Sequence, residues 1–241
     1  MVSKQLHLTF NDLAWAAVCF YYRSVADRKY CKIIGDTEFI TKLRQTPFEI
    51  KPEEFEVKVL LDYVNVESYD LLIGHNLAER IIEKAIGLEP DVSSLLNLTV
   101  LDCDLSDSAI VETIVKIYST LYSIEGLMLT GVSKIAHLLN DKLFVLLNLD
   151  ILNHFEIPEG NSGLIQWLRI MQEAARQATD DFYNQGFSGT PEAFISEKLG
   201  YTSHGYQKSL VKFLDEFFWL RFGDSLPIPP KWVPPHVSEE S

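Results

Sequence analysis

Apolar residues recur at helical spacing along almost the whole chain, and no segment makes a convincing β-strand. Ile110, Ile114, Ile117 and Leu121, for example, fall on one face of a helix. About nine such segments follow one another through short loops. The sequence therefore predicts an all-α fold in which consecutive helices pack ridge into groove.

Caps and chain breakers set the expected limits of the domain and its helices. Residues 1–226 are expected to form a single globular unit, with 1–104 and 105–226 as sub-lobes. Residues 227–241 contain five prolines and are expected to form an extended tail. Gly87 is expected to end one helix, and Ser106 to cap another. Expected helices cover residues 10–25, 36–44, 70–86, 106–124, 161–183 and 205–221, with a break at 65–68.

The first helix, over residues 10–25, is apolar almost all round. Such a helix is either buried within the protein or part of an interface. Burial in the monomer and contact with a second copy of the chain, giving a homo-oligomer, both explain it.

Negative charge is concentrated in one part of the chain. The net charge is −13, and residues 49–112 hold fifteen Asp and Glu against four Lys and Arg. Protein–DNA affinity depends on Lys and Arg replacing the counterions of phosphate, so this balance disfavours nucleic acid as the main partner.

The cysteines and the start of the chain bear on compartment and cofactors. Cys19, Cys31 and Cys103 are scattered and odd in number, which is typical of a reducing compartment. No apolar run approaches the roughly 18 residues of a membrane helix, and the first residues lack a signal-peptide layout. We therefore expect a cytoplasmic protein without membrane contact. No paired histidine motif suggests a metal, and we expect no cofactor.

The stretch 126–155 carries the residues with the clearest chemical implication. Gly131 is expected to turn through positive φ, and Ser133 to cap the helix that follows. Lys134 lies in the first turn of that helix, and free N–H groups beside a lysine can hold a phosphate. The alternative is an ordinary helical corner with a solvated Lys134. Earlier in the chain, Tyr118 and Tyr122 either line a groove or pack in the core.

The residues 129–136, Leu-Thr-Gly-Val-Ser-Lys-Ile-Ala, resemble the helix-hairpin-helix of the DNA glycosylase superfamily. The chain is also similar to an uncharacterised prokaryotic all-α family with Gly-Val-Ser-Lys, His-Leu-Leu and Leu-Phe motifs, here at 131–134, 137–139 and 143–144. The similarity extends through 163–172 and 212–221, roughly the last half of the chain.

This sequence departs from both patterns at informative positions. Thr130 stands in place of the usual proline, and Ser133 in place of the second glycine. Leu147 and Asn148 occupy the place of a Trp-Asp pair, and an amide cannot accept a proton as a carboxylate does. Asp150, two residues later, is the nearby acid that could replace it.

The resemblance implies particular roles if glycosylase chemistry is kept. Lys134 would be the amine nucleophile and Asp150 the carboxylate beside it, acting on a flipped base. Gly131, Ser133 and Lys134 would contact nucleic acid. His137 and His154 each lie one turn after one of the catalytic pair, so they and Asn148 are expected neighbours of the site, unless the imidazoles are simply hydrogen-bonded or exposed.

Three functional hypotheses follow, and the sequence leaves open whether the protein is an enzyme. The first is a protein of binding or interaction function without intact glycosylase machinery. The second is a base-excision glycosylase or lyase that uses Lys134. The third is non-catalytic binding of nucleic acid through the hairpin.

Overall fold

The fold is all-helical, as the sequence predicts. The computed structural model describes residues 7–64 and 74–227, and no strand occurs within them. The helices of this part of the chain are α1 Phe10–Arg23, α2 Val25–Gly35, α3 Thr37–Gln45, α4 Pro52–Phe55, α5 Gly74–Leu95, α6 Ser108–Tyr122, α7 Leu129–Leu139, α8 Leu149–His154, α9 Asn161–Asn184, α10 Pro191–Lys198 and α11 Leu210–Phe218. Wider π-type turns, Glu56–Val64 and Trp219–Gly223, extend α4 and α11.

Helix α1 is buried inside the monomer. Thr9 and Asp12 form a capping box at its start, in which the Thr9 hydroxyl accepts from the Asp12 N–H and the Asp12 carboxylate from the Thr9 N–H. The helix packs against α9, α10 and α11, and Phe10, Leu13 and Ala17 are fully buried. Burial within the chain thus explains its apolar composition, and homo-oligomer formation stays a prediction.

Several helix limits differ from the sequence predictions. α5 continues through Gly87 and Pro90 to Leu95, so Gly87 is not a C-cap. The reason is packing, because Leu88 and Val92 continue the buried face on both sides of the proline.

Two N-caps also lie elsewhere. Asp107, rather than Ser106, caps α6 by accepting from the Ala109 N–H at 2.8 Å. The Ser209 hydroxyl caps α11 by accepting from the Lys212 N–H, and Gly205 instead ends a short turn with φ of 82°. The expected break at 65–68, the first residues of the helix expected over 70–86, and the tail beyond Pro227 lie outside the described residues.

An irregular, buried segment, residues 143–147, crosses the core between α7 and α8. Backbone polar groups buried without partners are costly, and four side chains bond to backbone groups of this segment. The carbonyls of Phe144, Val145 and Leu146 accept from His137, Tyr118 and Trp167, and the Leu147 N–H donates to the Ser133 hydroxyl. The segment is therefore held by α6, α7 and α9 together, without a strand partner.

Candidate functional site

Gly131 lies inside α7, not in a turn. The helix begins at Leu129, two residues earlier than the predicted turn, and the left-handed turn is at Gly126, with φ of 89°. A Cβ atom at Gly131 would come within 2.8 Å of a Leu127 methyl and 3.2 Å of a Val64 methyl. The glycine therefore serves close packing against the turn Glu56–Val64, and the structure does not confirm a helix-hairpin-helix corner.

Ser133 is fully buried and does not cap a helix, which corrects its expected role. Its hydroxyl donates to the Thr130 carbonyl at 2.9 Å and accepts from the Leu147 N–H at 3.0 Å. Because the helix starts before it, Ser133 instead anchors residues 143–147.

Lys134 is partly buried on another face of α7. Its amine donates to the Tyr63 carbonyl at 2.9 Å and lies 5.2 Å from the centre of the Tyr63 ring. Burial, and then the nearby ammonium group of Lys212, lower the pKa of Lys134. Its amine is thus more readily deprotonated than that of an ordinary lysine.

Asp150 and Asn148 lie at the start of α8. Asn148 caps the helix, its side-chain oxygen accepting from the N–H groups of Asp150 and Ile151. Asp150 is exposed, and within the described residues no ion pair joins its carboxylate to Lys134. The Asn at position 148 therefore has a structural role of its own.

The two histidines of this region have different surroundings. His137 is buried, its Nδ1–H donates to the Phe144 carbonyl at 2.7 Å, and its Nε2 accepts from the Tyr30 hydroxyl at 3.2 Å. Burial lowers the pKa of His137, which favours this neutral form. The exposed His154 packs on the Phe222 ring at 4.7 Å. Lys212 and Asp215 influence the pKa values of both His137 and Lys134, whereas His154 contacts a different ring, that of Phe222.

A buried charge network, formed by Asp27, Lys208, Lys212, Asp215 and Glu216, is the largest feature that the sequence reading missed. Lys208 has no exposed side-chain surface, and its amine contacts both Asp27 and Glu216, the latter at 2.7 Å. The Tyr201 hydroxyl donates to the other Asp27 oxygen at 2.8 Å. The network thereby ties α2 to α11 through the chain that precedes α11.

The second lysine of the network continues it along α11. The Lys212 amine contacts Asp215 at 2.7 Å and Glu216 at 3.8 Å. It also lies 5.1 Å from the Phe20 ring centre. The partly buried Lys134 lies close enough to Lys212 and Asp215 for both to shift its pKa, whereas Asp27 and Glu216 share the single ammonium group of Lys208.

Glu216 is the carboxylate whose pairing is incomplete. Only one of its carboxylate oxygens has a partner, the other being buried without a hydrogen bond. Burial raises the pKa of Glu216 to about 7, against the lowering effect of Lys208 and Lys212.

The sequence spacing of Lys208, Lys212 and Glu216 could have indicated a buried charge network. Lys212 and Glu216 lie four residues apart on one face of α11, and Lys208 precedes Lys212 by the same spacing, just before the helix begins. Apart from the partly exposed Asp215, the other residues of α11 are apolar and buried, including Phe213 and Phe217. A helix without an exposed face must bury its charges, and buried charges need partners. No pattern in the sequence indicated that Asp27 is the distant partner of Lys208.

An open groove lies where α6, the start of α7 and the start of α9 meet, and we call it the α6–α9 groove. Its volume is about 520 Å³. Buried apolar side chains of Tyr118, Val132, Leu147 and Leu164 line it, and exposed Ser119, Tyr122, Ser123 and Glu159 contribute its polar lining. Tyr118 is fixed there because its hydroxyl donates to the Val145 carbonyl at 2.7 Å. Both tyrosines line the groove, and Tyr118 is also packed in the core, so both expectations hold for Tyr118 and only the groove expectation holds for Tyr122.

A second hollow lies between α9 and residues 101–106, with a volume of about 560 Å³. Its lining includes the charged residues Asp102, Asp104, Arg169, Glu173 and Arg176. Removing such groups from water is costly, so the α6–α9 groove is the better site for an apolar molecule.

Among the described residues, no three His, Cys, Asp or Glu side chains are arranged to hold a metal ion. No helix in this part of the chain is long and apolar enough to span a bilayer. Comparison with protein-family models, curated proteins and solved structures finds no match to this chain.

Proposed function

We propose that the protein is a binding protein without glycosylase machinery, and that it holds a small, largely apolar molecule in the α6–α9 groove. The observation that carries the proposal is the groove itself, about 520 Å³ with apolar walls and a few polar groups. Ligand sites typically have volumes of about 300–1,000 Å³ and this kind of lining.

The groove supplies both affinity and orientation. Val132, Leu147 and Leu164 offer apolar surface, and contact with it is worth about 25 cal/mol per Å² removed from water. At the polar side, the Ser119 hydroxyl donates to the Asn161 side chain at 3.1 Å across the groove. A ligand with one polar end would exchange hydrogen bonds with this pair.

Binding of the neutral fluorophore N-phenyl-1-naphthylamine tests the proposal. We expect saturable, one-to-one fluorescence enhancement with the wild type. Ser119→Trp should abolish it because the indole fills the groove from an exposed position of α6.

The matched control is Glu112→Trp, an exposed position on the same helix outside the groove lining. It should bind as the wild type does. No saturable binding to the wild type, or equal binding to Ser119→Trp, would contradict the proposal.

The second candidate is a DNA-glycosylase-like lyase, and Lys134 favours it. A lysine of lowered pKa is a better nucleophile for Schiff-base formation. Borohydride trapping on DNA with an abasic site distinguishes the candidates: the lyase predicts a covalent adduct that Lys134→Ala loses and Lys116→Ala keeps. Salt-sensitive binding without an adduct would instead support nucleic-acid binding alone.

A further inference from the structure

In the buried charge network, two carboxylates share one lysine. Asp27 and Glu216 share the Lys208 amine. The Lys212 amine pairs with Asp215 at 2.7 Å and lies 3.8 Å from Glu216. Glu216 is fully buried, and its second oxygen has no hydrogen-bond partner. An unpaired negative charge in such a place is costly, and protonation removes it.

We propose that Glu216 is the proton acceptor of a pH-sensitive clamp between α2 and α11, which binds one proton as the pH falls through the neutral range. With that proton in place, the repulsion between Glu216 and Asp27 across Lys208 disappears. The clamp therefore holds α2 against α11 more firmly at lower pH.

The groups around Glu216 support this assignment. α2 supplies Asp27, the chain before α11 supplies Lys208, and α11 itself supplies Lys212 and Asp215. Tyr201 and Cys31 lie against Asp27, with raised pKa values that keep both uncharged near neutral pH. The described buried residues of α1, α9 and α10, which also pack against α11, are uncharged. On α7, the partly buried Lys134 lies close enough to Lys212 and Asp215 for both to shift its pKa.

The sign of the pH dependence follows from the raised pKa. Below the ordinary value of 4.5, Glu216 is protonated in both the folded and the unfolded state. Between 4.5 and about 7 the folded state keeps a proton that the unfolded state has lost, so stability falls as the pH rises. Above about 7 both states are ionised, and the full cost of the buried charge is present.

Chemical denaturation of the wild type and Glu216→Gln, from about pH 5 to about pH 8, tests the clamp. Glutamine keeps the shape without the charge. The ratio of the two unfolding constants, wild type over variant, should rise by up to about tenfold per pH unit and level off above about pH 7. Glu112→Gln, an exposed control, should follow the wild type. A ratio for Glu216→Gln that does not change with pH would overturn the proposal.

A measurement on the wild type alone decides the matter if Glu216→Gln fails to fold. In a carboxyl-¹³C titration of the folded protein, most glutamates should titrate near their ordinary value, and one should titrate near neutral pH. If no glutamate carboxyl carbon titrates above about pH 6, the clamp is excluded.

Discussion

The buried charge network and the α6–α9 groove reverse the usual distribution of residues, in which charges face water and apolar groups lie inside. The network encloses Lys208 and Glu216 with no exposed side-chain surface, whereas the groove exposes Tyr122 to 56%. α7 borders both, since Val132 lines the groove and Lys134 is influenced by Lys212. We therefore expect the network to be costly to disturb and the groove to tolerate substitution with little loss of stability.

Lys208→Met should show the largest effect on stability. The change leaves Asp27 and Glu216 buried without their shared counter-ion, which costs about 3–5 kcal/mol of unfolding free energy. Lys116→Met is the control, since the Lys116–Asp91 pair is at the surface with the lysine 61% exposed, and it should cost less than about 1 kcal/mol. Equal losses in urea denaturation would contradict the comparison.

Ser133→Ala should have the second-largest effect on stability. Removal of the buried hydroxyl leaves the Leu147 N–H without its acceptor, at a cost of about 1–3 kcal/mol. The same change at Ser123, an exposed groove residue, should cost less than about 0.5 kcal/mol. Thermal or urea unfolding measures both, and a Ser123→Ala loss as large as that of Ser133→Ala would show that the groove is not a stability-neutral surface.

Two glycine substitutions should change the free energy of unfolding in opposite directions. Gly131→Ala crowds Leu127 and Val64, and we expect a loss of about 1 kcal/mol, since steric crowding outweighs the gain in helix propensity. Gly87→Ala meets nothing within 4 Å in an exposed part of α5, so it should gain about 0.5–1 kcal/mol. If Gly131→Ala also stabilises, the tight contact at α7 is not a constraint.

Tyr122→Ala should have the smallest effect on stability and a large effect on binding. Because the ring is exposed, unfolding free energy should change by less than about 0.5 kcal/mol. Affinity for N-phenyl-1-naphthylamine should fall about tenfold, since aromatic contacts carry much of the energy in such sites. Tyr183→Ala, at a comparably exposed tyrosine on α9, should leave that affinity unchanged.

The fold class and most helices could be predicted because they depend on local spacing and caps. The helix expected over residues 36–44, which is α3, and the apolar face of α6 are examples. The start of α7 could not be predicted, because Gly131 serves a packing contact with Val64, a residue far away in the sequence, rather than a local turn. Gly87 failed as a helix end for a similar reason, since packing of Leu88 and Val92 overrides local propensity.

The candidate site was less accessible to sequence reasoning. Lys134 and Asp150 were singled out by motif similarity, and their roles stay predictions. The groove forms where three helices meet. In the sequence, only the pair Tyr118 and Tyr122 indicated that a groove could be present. The network depends on a contact between Asp27 and Lys208, which are far apart in the chain.

The irregular segment 143–147 has a consequence for the order of folding. Four of its backbone groups bond to side chains of α6, α7 and α9, so we expect it to gain its full stability only after all three helices are assembled. The Leu147 amide should accordingly exchange its hydrogen with solvent only when the whole domain opens. We therefore expect residues 143–147 to become ordered late in folding, even though they lie in the middle of the chain.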